Sequence, residues 1–224
     1  MDRQFERTIQ LLGIDKVNTF KDKVILVAGI GGVGGTTLEC LARSGFNKFI
    51  IIDFDKVDES NLNRQILFTR KDIGRLKVEV AKERLLSINP NIEIQTLSEK
   101  IDTGVLETLV DKVDFVVDAI DFVPGKLELY SYAIKNYVPL ISCLGIGNRI
   151  DPTKVYITKL NKTEGDPLAK KLRYESKNLG LDLSKINVVF SKEVPLIKDR
   201  VVGSMMMVPS TAGLLMAEYV IGNI

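Results

Sequence analysis

Short apolar runs alternate along the chain with stretches whose apolar residues recur at helical spacing. Runs near residues 24–30, 48–53, 92–96, 115–119 and 140–144 predict strands, and another is expected near 154–159. Between them Leu38, Leu41, Ala42 and Gly45 fall on one helical face, as do Val78, Ala81, Leu85 and Ile88. Leu127, Leu129 and Ala133 follow Pro124 in the same manner, and a last helix is expected from about Pro209. Such alternation predicts an α/β fold: a Rossmann-like, three-layer arrangement of a mostly parallel sheet with helices on both faces, preceded by an N-terminal helix. No Pro/Gly/Ser-rich linker, internal repeat or low-complexity tract interrupts it, so residues 1–224 are expected to form a single nucleotide-binding domain.

The first run, VILVAGIGGVGG, passes directly into Gly29-x-Gly31-x-x-Gly34 and then into a helical pattern. A strand feeding such a turn offers backbone N–H groups to a phosphate, at the helix end that favours negative charge. Gly29, Gly31, Gly32 and Gly34 are therefore candidate nucleotide-binding residues. The second run ends at Asp53, where a carboxylate can accept hydrogen bonds from ribose hydroxyls. Asp55 is a second acid at that edge; the plain alternative is that one of the two only caps or solvates the strand end.

A dinucleotide-dependent dehydrogenase needs little beyond this fingerprint, yet the next segment keeps adding groups suited to phosphate. Asn61-x-x-Arg64-Gln65 follows the strand, and Lys77 stands near the start of a helix, where a cation opposes the helix dipole. Arg64 and Lys77 both leave the same sheet edge as the glycine turn, and two cations there would neutralise a triphosphate. The fourth run ends in Asp118-Ala119-Ile120-Asp121. Asp121 is either a helix N-cap or a ligand of Mg2+ bridging phosphates, since that hard cation takes one or two carboxylates plus phosphate oxygens.

Taken together, these residues resemble the ATP site of the ubiquitin-activating-enzyme-like superfamily, whose bacterial members include the ThiF and MoeB enzymes and the tRNA threonylcarbamoyladenosine dehydratases. The resemblance implies adenylation of a carboxylate with ATP, with Asn61, Arg64 and Lys77 on the triphosphate and Asp121 on Mg2+. Phe5-Glu6-Arg7-x-x-x-Leu11-Leu12-Gly13 is similar to the family's opening helix. It implies a homodimer in which Arg7 acts in trans on the partner's site; otherwise Arg7 is a solvated arginine on an amphipathic helix. GNRIDPT at 147–153, DPLAKKLR at 166–173, SKEVPL at 191–196 and GSMMMVPSTAGLLMAEYVI at 203–221 resemble the dehydratase branch in particular. That branch implies a tRNA substrate whose threonylcarbamoyladenosine, beside the anticodon, is adenylated and cyclised. The other branch, which adenylates the C-terminal glycine of a sulfur-carrier or ubiquitin-like protein, shares the ATP site. The resemblance leaves open whether a sulfur-transfer protein is a further partner. Many relatives carry a cysteine where this chain has Asp166, so no covalent intermediate is implied there.

Composition narrows the chemistry further. There is no histidine, which excludes imidazole acid–base work and Ser-His catalysis. Only Cys40 and Cys143 are present, without a C-x-x-C pair, which argues against structural zinc. Cys40 is expected in the core; Cys143 is either core or a nucleophile near the site. The net charge of +2 hides a basic surplus in residues 151–200, with eleven Lys and Arg against seven Asp and Glu. Lys170, Lys171, Arg173 and Lys177 fall on a helix expected to begin near Asp166 and offer either a tRNA-binding face or a solvated one. Lys192, Lys198 and Arg200 form a second basic group. The opening MDRQFER lacks a following apolar stretch, and the apolar tail is broken by Ser204, Pro209, Ser210, Gly213 and Glu218. A cytoplasmic protein with no membrane span is therefore expected.

Overall fold

The computed structural model describes residues 3–109, 112–197 and 202–224; Lys198 and Arg200 of the second basic group lie outside them. Two short helices, α1 (Glu6–Leu12) and α2 (Ile14–Asp22), are separated by Gly13 at a φ of 85°. Alternating elements follow: β1 (Val24–Ala28), α3 (Gly32–Ser44), β2 (Lys48–Ile52), α4 (Lys77–Ile88), β3 (Glu93–Leu97), α5 (Thr103–Glu107) and β4 (Phe115–Asp118). The second half continues with α6 (Val123–Lys135), β5 (Leu140–Cys143), β6 (Val155–Lys159), α7 (Pro167–Asn178), β7 (Asn187–Ser191) and α8 (Met207–Asn223). The strands form one sheet in the order β3-β2-β1-β4-β5-β7-β6, parallel throughout except for β6, which runs antiparallel to β7.

Why three layers form is visible in β1, whose residues are all buried. Ile25 and Val27 point into one apolar cluster with Leu38 of α3, Val78 of α4 and Ala212 of α8. Val24, Leu26 and Ala28 point into the other, with Leu129 of α6 and Leu172 of α7. A parallel strand buried on both faces has no polar positions to spare. The chain winds from β1 to β2 and β3 on one side, then returns to β4 on the other. That reversal opens a crevice at the carboxyl ends of β1 and β4, where ligands bind in sheets of this kind.

The one strand not anticipated from sequence is β7, which inserts between β5 and β6. Its core, Val188, Val189 and Phe190, is short and β-rich, and its flanks Lys185 and Lys192 are polar. The C-terminal segment is the expected core helix. No helix among the described residues is long and apolar enough to cross a membrane.

Two glycines of the turn have different steric roles. A Cβ at Gly34 would lie 1.8 Å from the Gly29 carbonyl oxygen, so only glycine lets α3 pack against the turn. A Cβ at Gly31 would meet nothing closer than the Gln65 amide nitrogen at 3.8 Å. Gly34→Ala is therefore expected to cost at least about 3 kcal/mol, the upper end of overpacking penalties. Thermal unfolding should fall by roughly 6–12 °C in a chain of this size, whereas Gly31→Ala should unfold within about 3 °C of the parent. Equal melting temperatures for the two variants would contradict the packing argument.

Candidate active site

At the end of β1, Gly29 adopts a φ of 85°, and a Cβ there would sit 2.7 Å from the carbonyl oxygen of Ala119. The turn is thereby clasped against the residue that follows β4, with Ala119 N–H donating to the Ala28 carbonyl at 2.8 Å. Helix α3 then begins with Gly31 at its N-cap and no side chain capping it. The N–H groups of the first turn have no partner within the helix and carry the positive end of its dipole. A cleft of about 290 Å³ opens in front of them.

Asp53 stands at the end of β2 on the wall of this cleft. Its Oδ2 accepts from Ile30 N–H at 2.6 Å and its Oδ1 from Asp55 N–H at 2.9 Å. The carboxylate thus holds the glycine turn in place, and since a carboxylate offers about four lone-pair sites, acceptor capacity remains for a hydroxyl. Burial raises its pKa, against the opposing pull of Lys77 and the two N–H donors.

The cations are built differently. Lys77 is the first residue of α4, its side chain 6% exposed, and its Nζ pairs with Asp55 Oδ2 at 2.8 Å. Asp55 is thus the partner of Lys77 and offsets a cation placed against the helix dipole. Backbone bonds fix both ends, with Lys77 N–H on the Asp55 carbonyl at 3.0 Å. Asn61 is held by a capping turn in which its Oδ1 accepts from Asp58 N–H. Arg64 is anchored through Nη1 to the Ser60 carbonyl at 2.7 Å and Asn63 Oδ1 at 2.9 Å. Gln65 lines the cleft while 6% exposed, and its Oε1 has no hydrogen-bond partner. An unpaired buried acceptor is costly and marks a place where a ligand or water completes the wall.

Asp121 is exposed on the cleft's far wall. The capping alternative does not hold: the N-cap of α6 is Phe122, and no side chain bonds there. The structure therefore gathers Gly29, Gly31, Gly32, Asp53, Asp55, Asn61, Arg64, Lys77 and Asp121 around one cleft, with Gly34 behind the turn.

Arg7 is not among them. Its helix is tied at the opposite edge of the sheet: Gln4 donates to the carbonyl of Ile88, the last residue of α4, and Phe5 packs at Gly45, just beyond α3. Both helices start at the cleft and run 12 and 13 residues, so these anchors lie about 18–20 Å from it. Arg7 itself is exposed and bonds only weakly to Gln10, at 3.4 Å.

Sequence reasoning missed Phe54, Glu99 and Ile101 on the cleft rim. Phe54 is 46% exposed, with Lys100 Nζ 4.9 Å from its ring centroid. Glu99 and Ile101 reach the site only because β3 pairs with β2, a neighbourhood that no local motif announces.

Cys143 closes β5 fully inside the protein, and burial pushes its thiol up to about 12. The thiolate that a nucleophile requires is negligible at neutral pH, which leaves the core reading. Cys40, part-buried on α3, is shifted upward for the same reason. Asp166 caps α7 through Ala169 N–H at 2.8 Å and lies 3.8 Å from Arg149 Nη2. On α7, Lys170, Lys171 and Lys177 are exposed. Arg173 is half-buried, and its Nη1 donates to the carbonyl and hydroxyl of Thr163, which anchors the guanidinium without neutralising its charge.

Known proteins are similar to this chain in sequence and in fold. The chain is 33% identical over 240 residues to the tRNA threonylcarbamoyladenosine dehydratase of Bacillus subtilis, covering 99% of this chain and 94% of that protein. It is also similar to the crystal structure of the Escherichia coli tRNA N6-threonylcarbamoyladenosine dehydratase in complex with ATP. There the TM-score is 0.92 at 35% identity, over 98% of this chain and 93% of that one. A more partial likeness, 33% over 166 residues, links it to the molybdopterin-synthase adenylyltransferase of Escherichia coli, over 73% of this chain and 65% of that protein. The pattern of the ThiF family runs through residues 2–218, from the Arg7 helix to α8, and this chain belongs to that family.

Proposed function

We propose that this chain is an ATP-dependent tRNA threonylcarbamoyladenosine dehydratase, built as one nucleotide-binding domain over residues 1–224 and working in the cytoplasm as a homodimer. The observation that carries this reading is the near end-to-end likeness to a dehydratase crystallised with ATP, including the second half of the fold. The substrate's carboxylate oxygen attacks the α-phosphorus of ATP and pyrophosphate leaves. An internal nucleophile of the same modified nucleoside then attacks the acyl carbon, AMP leaves, and the product has lost one water.

In this reading the glycine turn and the first turn of α3 receive phosphates, and Asp53 accepts from ribose while still holding Ile30. Asn61, Arg64 and Lys77 border the triphosphate, with Asp55 keeping Lys77 aimed. Asp121, an exposed carboxylate on the facing wall, suits Mg2+, which takes one or two carboxylates together with phosphate oxygens. Bound there, the ion would neutralise phosphate charge. Arg7, too far from its own cleft, serves the partner's. Positioning suffices after adenylation, since an internal nucleophile has a high effective molarity, and the lack of histidine is then no obstacle. The exposed Lys170, Lys171 and Lys177 offer phosphate contacts to tRNA.

The test is direct: incubate threonylcarbamoyladenosine-containing tRNA with protein, ATP and MgCl2, follow pyrophosphate, and weigh the digested nucleosides. Loss of one water from that nucleoside, matched by AMP, is expected. Pyrophosphate release that instead requires a carrier protein ending in glycine would assign the chain to the adenylyltransferase branch.

A further inference from the structure

A buried ion pair underlies the cleft wall that carries Asp121. Lys126 of α6 and Asp118 of β4 both have side chains 0% exposed, with Nζ and Oδ2 2.9 Å apart. The ammonium uses its three donors fully, giving the others to Ser142 Oγ at 3.2 Å and the Cys143 carbonyl at 2.7 Å. Ser142 Oγ donates to Asp118 Oδ2 at 2.6 Å, and the Tyr130 hydroxyl lies 2.8 Å from Ser142 Oγ. Hydrophobic replacement of such a pair is often neutral or stabilising, so stability alone is a weak reason for placing one here.

Its geometry supplies another reason. The pair ties the ends of β4 and β5 to the first half of α6, and the only chain between β4 and α6 is the segment 119–122. The second oxygen of Asp118 accepts from Ile120 N–H at 3.3 Å, one residue before Asp121. From the other side Gly125 leaves room for the same segment, since a Cβ there would lie 2.6 Å from the Phe122 ring and 2.8 Å from the Ile120 side chain. Ala119, at the head of the segment, abuts Gly29.

We propose that Lys126, acting through Asp118, is a positioning residue that fixes residues 119–122 so that the Asp121 carboxylate meets the phosphates and their metal. This rests on the reading of Asp121 given above. Ordering groups behind a metal ligand typically change affinity or activity by about 10–100-fold. Lys126→Met is expected to weaken the Mg2+-dependent gain in ATP affinity, measured by calorimetry with and without MgCl2, within that range of about 10–100-fold. kcat should fall in parallel while KM for tRNA stays put, and amide exchange across 119–122 should quicken. Lys126→Arg should restore most of each quantity. Should Lys126→Met fail to fold, Ser142→Ala, which keeps the ion pair, is expected to shift the same readouts less far. Normal exchange and normal Mg2+ dependence in a folded Lys126→Met, or in Ser142→Ala when that substitute is needed, overturn the proposal. Asp121→Asn, measured alongside, separates the failures. If it too leaves Mg2+-dependent binding intact, the metal reading falls and takes the proposal with it; if it is defective beside a normal Lys126→Met, the positioning role alone is wrong.

Discussion

Asp121→Ala should fold as the parent does and release no pyrophosphate. The residue is exposed, caps nothing, and sits on the cleft wall facing the glycine turn. Surface substitutions of that sort change stability by about 0.5 kcal/mol or less, so melting temperatures should agree within roughly 2 °C. Removing a group that stabilises charge on a reacting phosphate costs about 10²–10³ in rate. Scanning calorimetry beside a pyrophosphate assay reads both quantities at once. A variant that keeps more than about a tenth of the parent rate falls well short of that loss and would remove Asp121 from the chemistry.

Arg7→Ala and Arg64→Ala should each be inactive alone, by the roughly 10³–10⁵ that an arginine aimed at transferring phosphate contributes. Mixed and allowed to exchange subunits, they should recover. In a hybrid dimer, the cleft of the Arg7→Ala subunit keeps its own Arg64 and receives Arg7 from its neighbour. Random pairing in a symmetric dimer leaves about a quarter of all clefts complete, and activity should approach that fraction. The anchors of the Arg7 helix, Ile88 and Gly45 at the far ends of α4 and α3, make an action within one chain unreachable. A mixture that stays dead although mass spectrometry shows hybrid dimers would exclude action across the dimer.

Much of the cleft was legible because its parts are local. A strand, a glycine turn and a helix adjoin in sequence, and acids at strand ends share one edge as soon as the sheet is parallel. Asp53, Asp55 and Lys77 could be placed at that edge on that ground, whereas Asp121 stood between a helix cap and a Mg2+ ligand until the family resemblance favoured the latter. What sequence did not show is which charges are already engaged. Lys77 pairs with Asp55, and Arg173 is anchored on Thr163, through contacts that no spacing rule encodes. Nor did periodicity separate Asp118 from Asp121. Three residues apart, one lies wholly inside against Lys126 and the other faces the cleft, and only the path of the chain between β4 and α6 decides which. The strand β7 escaped notice because its position beside β5 depends on long-range pairing.

Helix α8 is wedged against the helix that opens at the glycine turn. Gly213 lies so close that a Cβ would be 2.5 Å from the Val33 carbonyl oxygen, Thr37 Oγ1 donates to the Gly213 carbonyl at 3.0 Å, and Pro209 crowds Gly32. Residues 207–223 leave the ribosome after every other part of the described fold, while the turn they brace is made near the beginning. At about 5–20 residues per second, synthesis separates the two by roughly 10–35 s. Until then the part of α3 that α8 covers stays bare, and a chain lacking α8 has the phosphate turn in sequence but not its support. A chain halted before α8 is made would expose that apolar surface to chaperones and proteases and would lack the brace behind its phosphate turn.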